Sequence, residues 1–193
     1  KKIAAVGTAA FRTAANAKVF VDMGKNDLNL KIEVISGNQE AELTFLSVSN
    51  DFFPKNKKLI VLDIGGGSTE MITGTPQGKT KKQAEPKTAI SISLGSVRFT
   101  ELYVRSDPIS DEDFSKLHLA IQNTIRDELD NFYPPDFDPT QYTMVATAGT
   151  ATTLCAVDKK LKIYNPTHIH AAKLKKENLE KLIQELAKKN LNE

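Results

Sequence analysis

The chain lacks tryptophan and carries a single cysteine, Cys155, among its 193 residues. One thiol excludes an internal disulfide framework and fits a reducing compartment, the cytoplasm by default. With no histidine near it in sequence, Cys155 reads as a small buried hydrophobe. No apolar run reaches the roughly 18 residues of a membrane-spanning helix, so neither a membrane span nor an intact signal peptide is expected. Excess charge is also missing: 26 basic residues against 24 acidic ones leave a net +2. That balance argues against nucleic acid or a membrane surface as partner. No internal repeat is visible, and the length suits one large domain or two small ones.

What is present is concentrated in residues 59–74, LIVLDIGGGSTEMITG. An apolar, β-branched run suited to a buried strand ends at Asp63, and three glycines follow. Gly65, Gly66 and Gly67 remove Cβ atoms that would hold a polyanion away, and they permit positive φ angles that would gather successive amides into one concavity. A P-loop would need Lys-Ser or Lys-Thr and then a helix, and a Rossmann fingerprint would need glycine where Glu70 stands. Instead Ser68, Thr69 and Glu70 lead into a second strand, so the reading is strand, glycine turn, strand. A glycine triplet alone also describes a plain hairpin turn. Asp63 and Glu70 bracket this one, however, and Mg2+ is held by one or two carboxylates together with substrate phosphates and water.

The rest alternates between strands and helices. Residues 3–6 read as a strand, followed by an Ala-rich helix that opens at Thr8, carries Arg12 and stops near Gly24. Residues 30–35 read as a strand, and a helix through Ala41, Phe45 and Val48 follows, with Pro54 beyond it. The stretch 78–87, with Lys79, Lys81, Lys82 and Lys87, reads as a solvated basic loop. A strand over 88–94 leads through Gly95 to a helix over 97–104. Ser110 and Asp113 have capping-box spacing ahead of Phe114, Leu117, Ile121, Ile125, Leu129 and Phe132, which recur at helical intervals. Pro134, Pro135 and Pro139 make a loop. A strand over 142–146 ends in a second small-residue turn, Thr147 to Thr150, with a helix behind it. Residues 174–187 form an amphipathic helix. His168 and His170 make an HxH pair with no third ligand near in sequence, and His118 reads as structural.

Four ordered segments, VGTAAFRTAANA, ISGNQEAEL, DIGGGSTE and SLGSVRFTE, together resemble the exopolyphosphatase and guanosine pentaphosphate phosphohydrolase family over about residues 1–158. The resemblance implies an α/β chain with the two-lobed actin-like (ribonuclease H-like) fold of sugar kinases and heat-shock chaperones. Residues 1–46 would close the first lobe and 47–193 would form most of the second. It further implies Glu40 as catalytic base, with Asp63 and Glu70 as acidic residues serving metal and water. Gly65, Gly66, Gly67 and Ser68 become a phosphate loop, Gly149 and Thr150 part of another, and Arg12 a cation facing the cleft. The implied cofactor is Mg2+ or another divalent cation. The implied substrates are inorganic polyphosphate or guanosine pentaphosphate, with a homodimer possible for a full-length protein. Arg98 matches by sequence without an assigned role.

This chemistry is reasonable on physical grounds. Phosphoanhydride hydrolysis needs an in-line water, a group to orient or deprotonate it, and cations on the phosphoryl oxygens. Taken singly, Glu40 also suits a helix start as a dipole partner, and Arg12 also suits a plain salt bridge. Four departures stand out. The family's Asp-Leu-Gly-Ser-Asn-Ser type loop and its closing segment have no counterpart, Glu42 stands where arginine is expected, and the TAGT turn is lean in glycine. The chain therefore reads as an internal piece of a longer protein and a poor catalyst alone. A non-hydrolytic phosphate-binding sensor of the same fold is the alternative, and an ATP-dependent kinase a weaker third.

Overall fold

The computed structural model describes residues 3–51, 58–75, 85–130, 132–133 and 137–192. Lys79, Lys81 and Lys82 of the basic stretch, and Pro54, Pro134 and Pro135, lie outside the described residues.

A short strand β1 (Ala5–Gly7) pairs in parallel with β2 (Ile32–Val34). Between them run α1 (Ala9–Thr13) and α2 (Ala17–Leu28). Two helices therefore stand where the sequence suggested one. Gly24 is not a stop: it is buried within α2, and a Cβ there would meet Ile32 Cδ1 at 2.8 Å. The helix continues to Asn29, whose φ of 49° supplies the left-handed terminus instead.

Helix α3 (Gly37–Asp51) then lies across a four-stranded sheet. Its strands are β3 (Lys58–Ile64), β4 (Thr69–Thr75), β5 (Glu85–Ile92) and β6 (Tyr142–Thr147), in the spatial order β5-β4-β3-β6. Residues 85–87, read from sequence as the end of a basic loop, belong to β5, where Pro86 and Glu85 pair with Gly74 and Thr75. β3 and β4 form an antiparallel hairpin, β4 pairs antiparallel with β5, and β6 adds in parallel to β3. The parallel pairing demands a long crossover. It runs through α4 (Ser96–Tyr103) and α5 (Asp111–Leu129). Ser110 Oγ accepts from the amide of Asp113 at 3.2 Å, which makes the cap expected for α5. After β6 come α6 (Ala148–Asp158), α7 (Pro166–Ile169) and α8 (Lys176–Leu186).

Strand alternation divides the core. Leu59, Val61 and Ile72 meet Ala41, Phe45 and Val48 of α3, whose spacing of four and three puts them on one helix face. Ile60 and Met71 point the other way, onto Phe132 with Leu129, Tyr133 and Phe137 packed around it. Burying a side chain such as Phe45 or Leu59 contributes about 1.5–3 kcal/mol. With both faces covered, β3 can be apolar from Leu59 to Leu62, and it changes character at Asp63. The division drawn after residue 46 falls inside α3, with Phe45 and Val48 on either side of it packed into the same cluster.

Candidate functional site

Asp63 and Glu70 are direct cross-strand partners at the top of the β3–β4 hairpin. By alternation they lie on the face that meets α3, just beyond Val61 and Ile72. Helix α3 brings two residues of its own, four apart and so on one face: Glu40 in its first turn and Thr44. Helix α1 brings Arg12.

Arg12 ties the group together. Its Nη1 donates to Glu40 Oε2 and to the carbonyl of Ile35, both at 2.9 Å, while Nη2 stands 4.0 Å from Glu70 Oε1. The Arg12 and Glu40 side chains keep 24% and 17% of their exposure, so solvent still reaches the pair. Glu70 is 1% exposed. Its Oε1 accepts from Ser68 Oγ at 2.8 Å and from Ser91 Oγ at 2.7 Å. Burial pushes the Glu70 carboxyl above the usual carboxylate range, the two serine hydroxyls pull it back, and the charges of Glu40 and Asp63 push it up again. Asp63 Oδ2 accepts from Thr44 Oγ1 at 2.9 Å.

The glycine turn is a tight hairpin, closed by the Gly65 amide on the Ser68 carbonyl at 3.0 Å. It does not use positive φ. No described glycine has it, so the picture of left-handed glycines gathering amides is corrected. What the glycines provide is clearance. A Cβ on Gly66 would meet Val97 at 3.2 Å, and one on Gly95 would lie 2.2 Å from the Gly66 carbonyl oxygen. The start of α4 is pressed onto the turn, and the amides of Ser96 and Arg98 donate to the carbonyls of Gly65 and Gly66, each at 3.0 Å. The turn thereby anchors the start of α4.

The second turn reaches the first across an open cleft of about 470 Å³, lined by Ile64, Gly65, Gly66, Val97, Gly149 and Thr150 among others. Thr150 Oγ1 lies 3.4 Å from Ser96 Oγ. The N-cap residue of α6, Thr147, makes no side-chain cap, in contrast to the occupied amides of α4. Ala148 holds a φ of 66°, the left-handed region where glycine is at ease. A Cβ added to Gly149, by contrast, would meet no described atom within 4 Å.

Arg12, Glu40, Ser68 and Glu70 are thus joined in one network, Asp63 stands beside it, and Gly65, Gly66, Gly149 and Thr150 share the cleft. Gly67 is exposed and faces Ala9, with 3.6 Å from its would-be Cβ to that residue's. Glu42 is exposed and two residues from Glu40, which places it away from the network on α3. The sequence reasoning missed Ser91 and Thr44. The one available signal was register: Ser91 pairs with Glu70, and Thr44 is one turn beyond Glu40. Among the described residues no three of His, Cys, Asp or Glu are grouped to hold a metal. Cys155 is buried, as expected. No helix among the described residues is long and apolar enough to cross a membrane.

Comparison with known proteins bears on the family and the fold. The Ppx/GppA phosphatase family matches over residues 1–193. Exopolyphosphatase 2 of Mycobacterium tuberculosis is 29% identical over 191 residues, covering 96% of this chain and 56% of that protein. Guanosine-5'-triphosphate,3'-diphosphate pyrophosphatase of Photobacterium profundum is 30% identical over 154 residues, covering 80% of this chain and 29% of that protein. Among solved structures, the PPX-GPPA enzyme of Aquifex aeolicus superposes with a TM-score of 0.76 at 29% identity, covering 97% of this chain and 57% of that one. The α/β architecture described above is therefore the actin-like one of these proteins, and the chain spans a little over half the length of the Mycobacterium and Aquifex chains.

Proposed function

The chain belongs to the Ppx/GppA phosphatase family, and on that premise we propose that it supplies the water-activating wall of an acid anhydride hydrolase. The reaction is release of terminal orthophosphate from inorganic polyphosphate, guanosine pentaphosphate or both. The observation that carries this reading is the convergence of Arg12 from α1, Glu40 from α3 and Glu70 from β4 beside Asp63, with Arg12 hydrogen-bonded to Glu40 and its other guanidinium nitrogen 4.0 Å from Glu70.

Glu40 acts as the base. Arg12 is fixed by the Ile35 carbonyl and holds the Glu40 carboxylate in one orientation, from which it can take a proton from a water in line with the terminal phosphorus. The guanidinium edge near Glu70 offers charge to phosphoryl oxygens. The cleft between the two turns receives the phosphate chain, with the start of α6 as its anion-favouring end.

The donor set fits Mg2+: hard carboxylate oxygens, paired across two strands, without a third ligand among the described residues that would build a closed protein site. Asp63 would hold the ion, with Glu70 contributing from its buried position. A bound Mg2+ would neutralise developing charge on the transferred phosphoryl group. Asp63 is held ready for this by the Thr44 hydroxyl. Glu42 lies on the exposed side of α3.

The test is phosphate release from long-chain polyphosphate and from guanosine pentaphosphate, with and without Mg2+, by the full-length protein that contains residues 1–193. Metal-dependent release is expected and names the preferred substrate. A folded protein that binds either compound and releases nothing would be a sensor instead.

A further inference from the structure

We propose that Ser91 is a positioning residue for the buried carboxylate of Glu70, with Gly37 as the clearance that lets α3 close over it. The inference rests on the hydrolase reading above and adds a residue to it. Ser91 sits on β5 directly opposite Glu70 on β4. Its hydroxyl donates to Glu70 Oε1 at 2.7 Å, and Ser68 donates to the same oxygen from the turn at 2.8 Å. A carboxylate that is 1% exposed has almost no water to satisfy it, so these donors fix the position of the oxygen they share. One comes from its own strand's turn and the other from the neighbouring strand, which fixes the side chain from two directions.

Gly37 adds a second constraint. A Cβ at this first residue of α3 would lie 2.6 Å from Ser91 Cβ and 2.7 Å from Ser91 Oγ, closer than real atoms approach. The hydroxyl thus occupies the space beneath the start of α3, three residues before Glu40. The Ser91 side chain sets how near the helix carrying the base comes to the strand carrying Glu70.

The experiment compares wild type with Ser91→Ala in the full-length protein. Two quantities are measured: kcat and KM on long-chain polyphosphate with Mg2+, and the melting temperature of Ser91→Ala made alone and in a Glu70→Ala background. Losing one hydrogen bond to a charged group should lower kcat on the order of tenfold while KM changes less than about twofold. The melting deficit caused by Ser91→Ala should shrink in the Glu70→Ala background, because the hydroxyl acts through that carboxylate. An unchanged kcat, with an equal melting deficit in both backgrounds, would reduce Ser91 to packing and overturn the proposal. If wild type releases no phosphate, the hydrolase reading fails on its own, and the melting comparison alone decides the role of Ser91.

Discussion

The seam beneath α3 and the cleft at the hairpin tip are built from the same two strands, yet they are held in opposite ways. In the seam, side chains hold the structure: Arg12 is bonded to Glu40, Ser68 and Ser91 are bonded to Glu70, the two sets meet where Arg12 stands 4.0 Å from Glu70, and Glu70 is almost fully buried. At the tip, backbone does so: the carbonyls of Gly65 and Gly66 receive the first amides of α4, and the space beyond is open. The difference teaches where rigidity and open space are needed. A base must be oriented before the substrate arrives, whereas a polyanion needs a gap lined by donors and unobstructed by Cβ atoms. Substitutions in the seam should therefore change rate and pH dependence, and those at the tip should change stability and substrate affinity.

The strongest challenge to that contrast is Gly95→Ala. Its Cβ would fall 2.2 Å from a backbone oxygen of the turn, which no rotamer can relieve. Overpacking of this kind should destabilise by about 3 kcal/mol, read as the urea midpoint, and should raise KM for polyphosphate more than it lowers kcat.

Glu70→Gln probes the seam. The folded carboxyl is raised above its ordinary value of 4.5, chiefly by burial, so what Glu70 contributes to stability is fully present below that pH. It is lost as pH rises through the folded value. The variant, which cannot ionise, should gain stability relative to wild type as pH rises from about 4 to about 8 while losing most phosphate release. A stability difference that ignores pH would contradict the burial argument.

Thr44→Val is the milder seam test. It removes the donor to Asp63 Oδ2 and keeps the shape, so a loss of about 1 kcal/mol is expected, together with a higher Mg2+ requirement for phosphate release. Smallest is Ala148→Gly. Relief of a φ of 66° outweighs the added freedom of the unfolded glycine chain, and a gain of up to about 1 kcal/mol in thermal unfolding is expected with kcat unchanged within about twofold.

Much of this was legible in the residues, for identifiable reasons. The β3–turn–β4 hairpin announces itself through an apolar run that ends at an acid before three glycines, and α5 through its periodicity and the Ser110 cap. Arg12, Glu40 and Glu70 could be nominated because their motifs resemble a family's. Other features depend on tertiary contact and leave no local mark. Gly24 looks like a helix stop but is a packing glycine against Ile32, and the break between α1 and α2 falls within an Ala-rich run of good helix formers. Ser91 lies in an alternating strand where a serine is ordinary until the register sets it opposite Glu70. The left-handed residue of the second turn is Ala148 and not its glycine neighbour, which composition could not reveal.

The central claim is that Glu40, held by Arg12, activates the attacking water. It is tested most directly by Glu40→Gln in the full-length protein, measured as single-turnover phosphate release from polyphosphate at saturating substrate and Mg2+. Removing a general base should slow that step by about 10²–10⁴-fold while polyphosphate binding, followed by fluorescence, stays within about threefold of wild type. Release at the wild-type rate by the variant would place the base elsewhere and contradict the account.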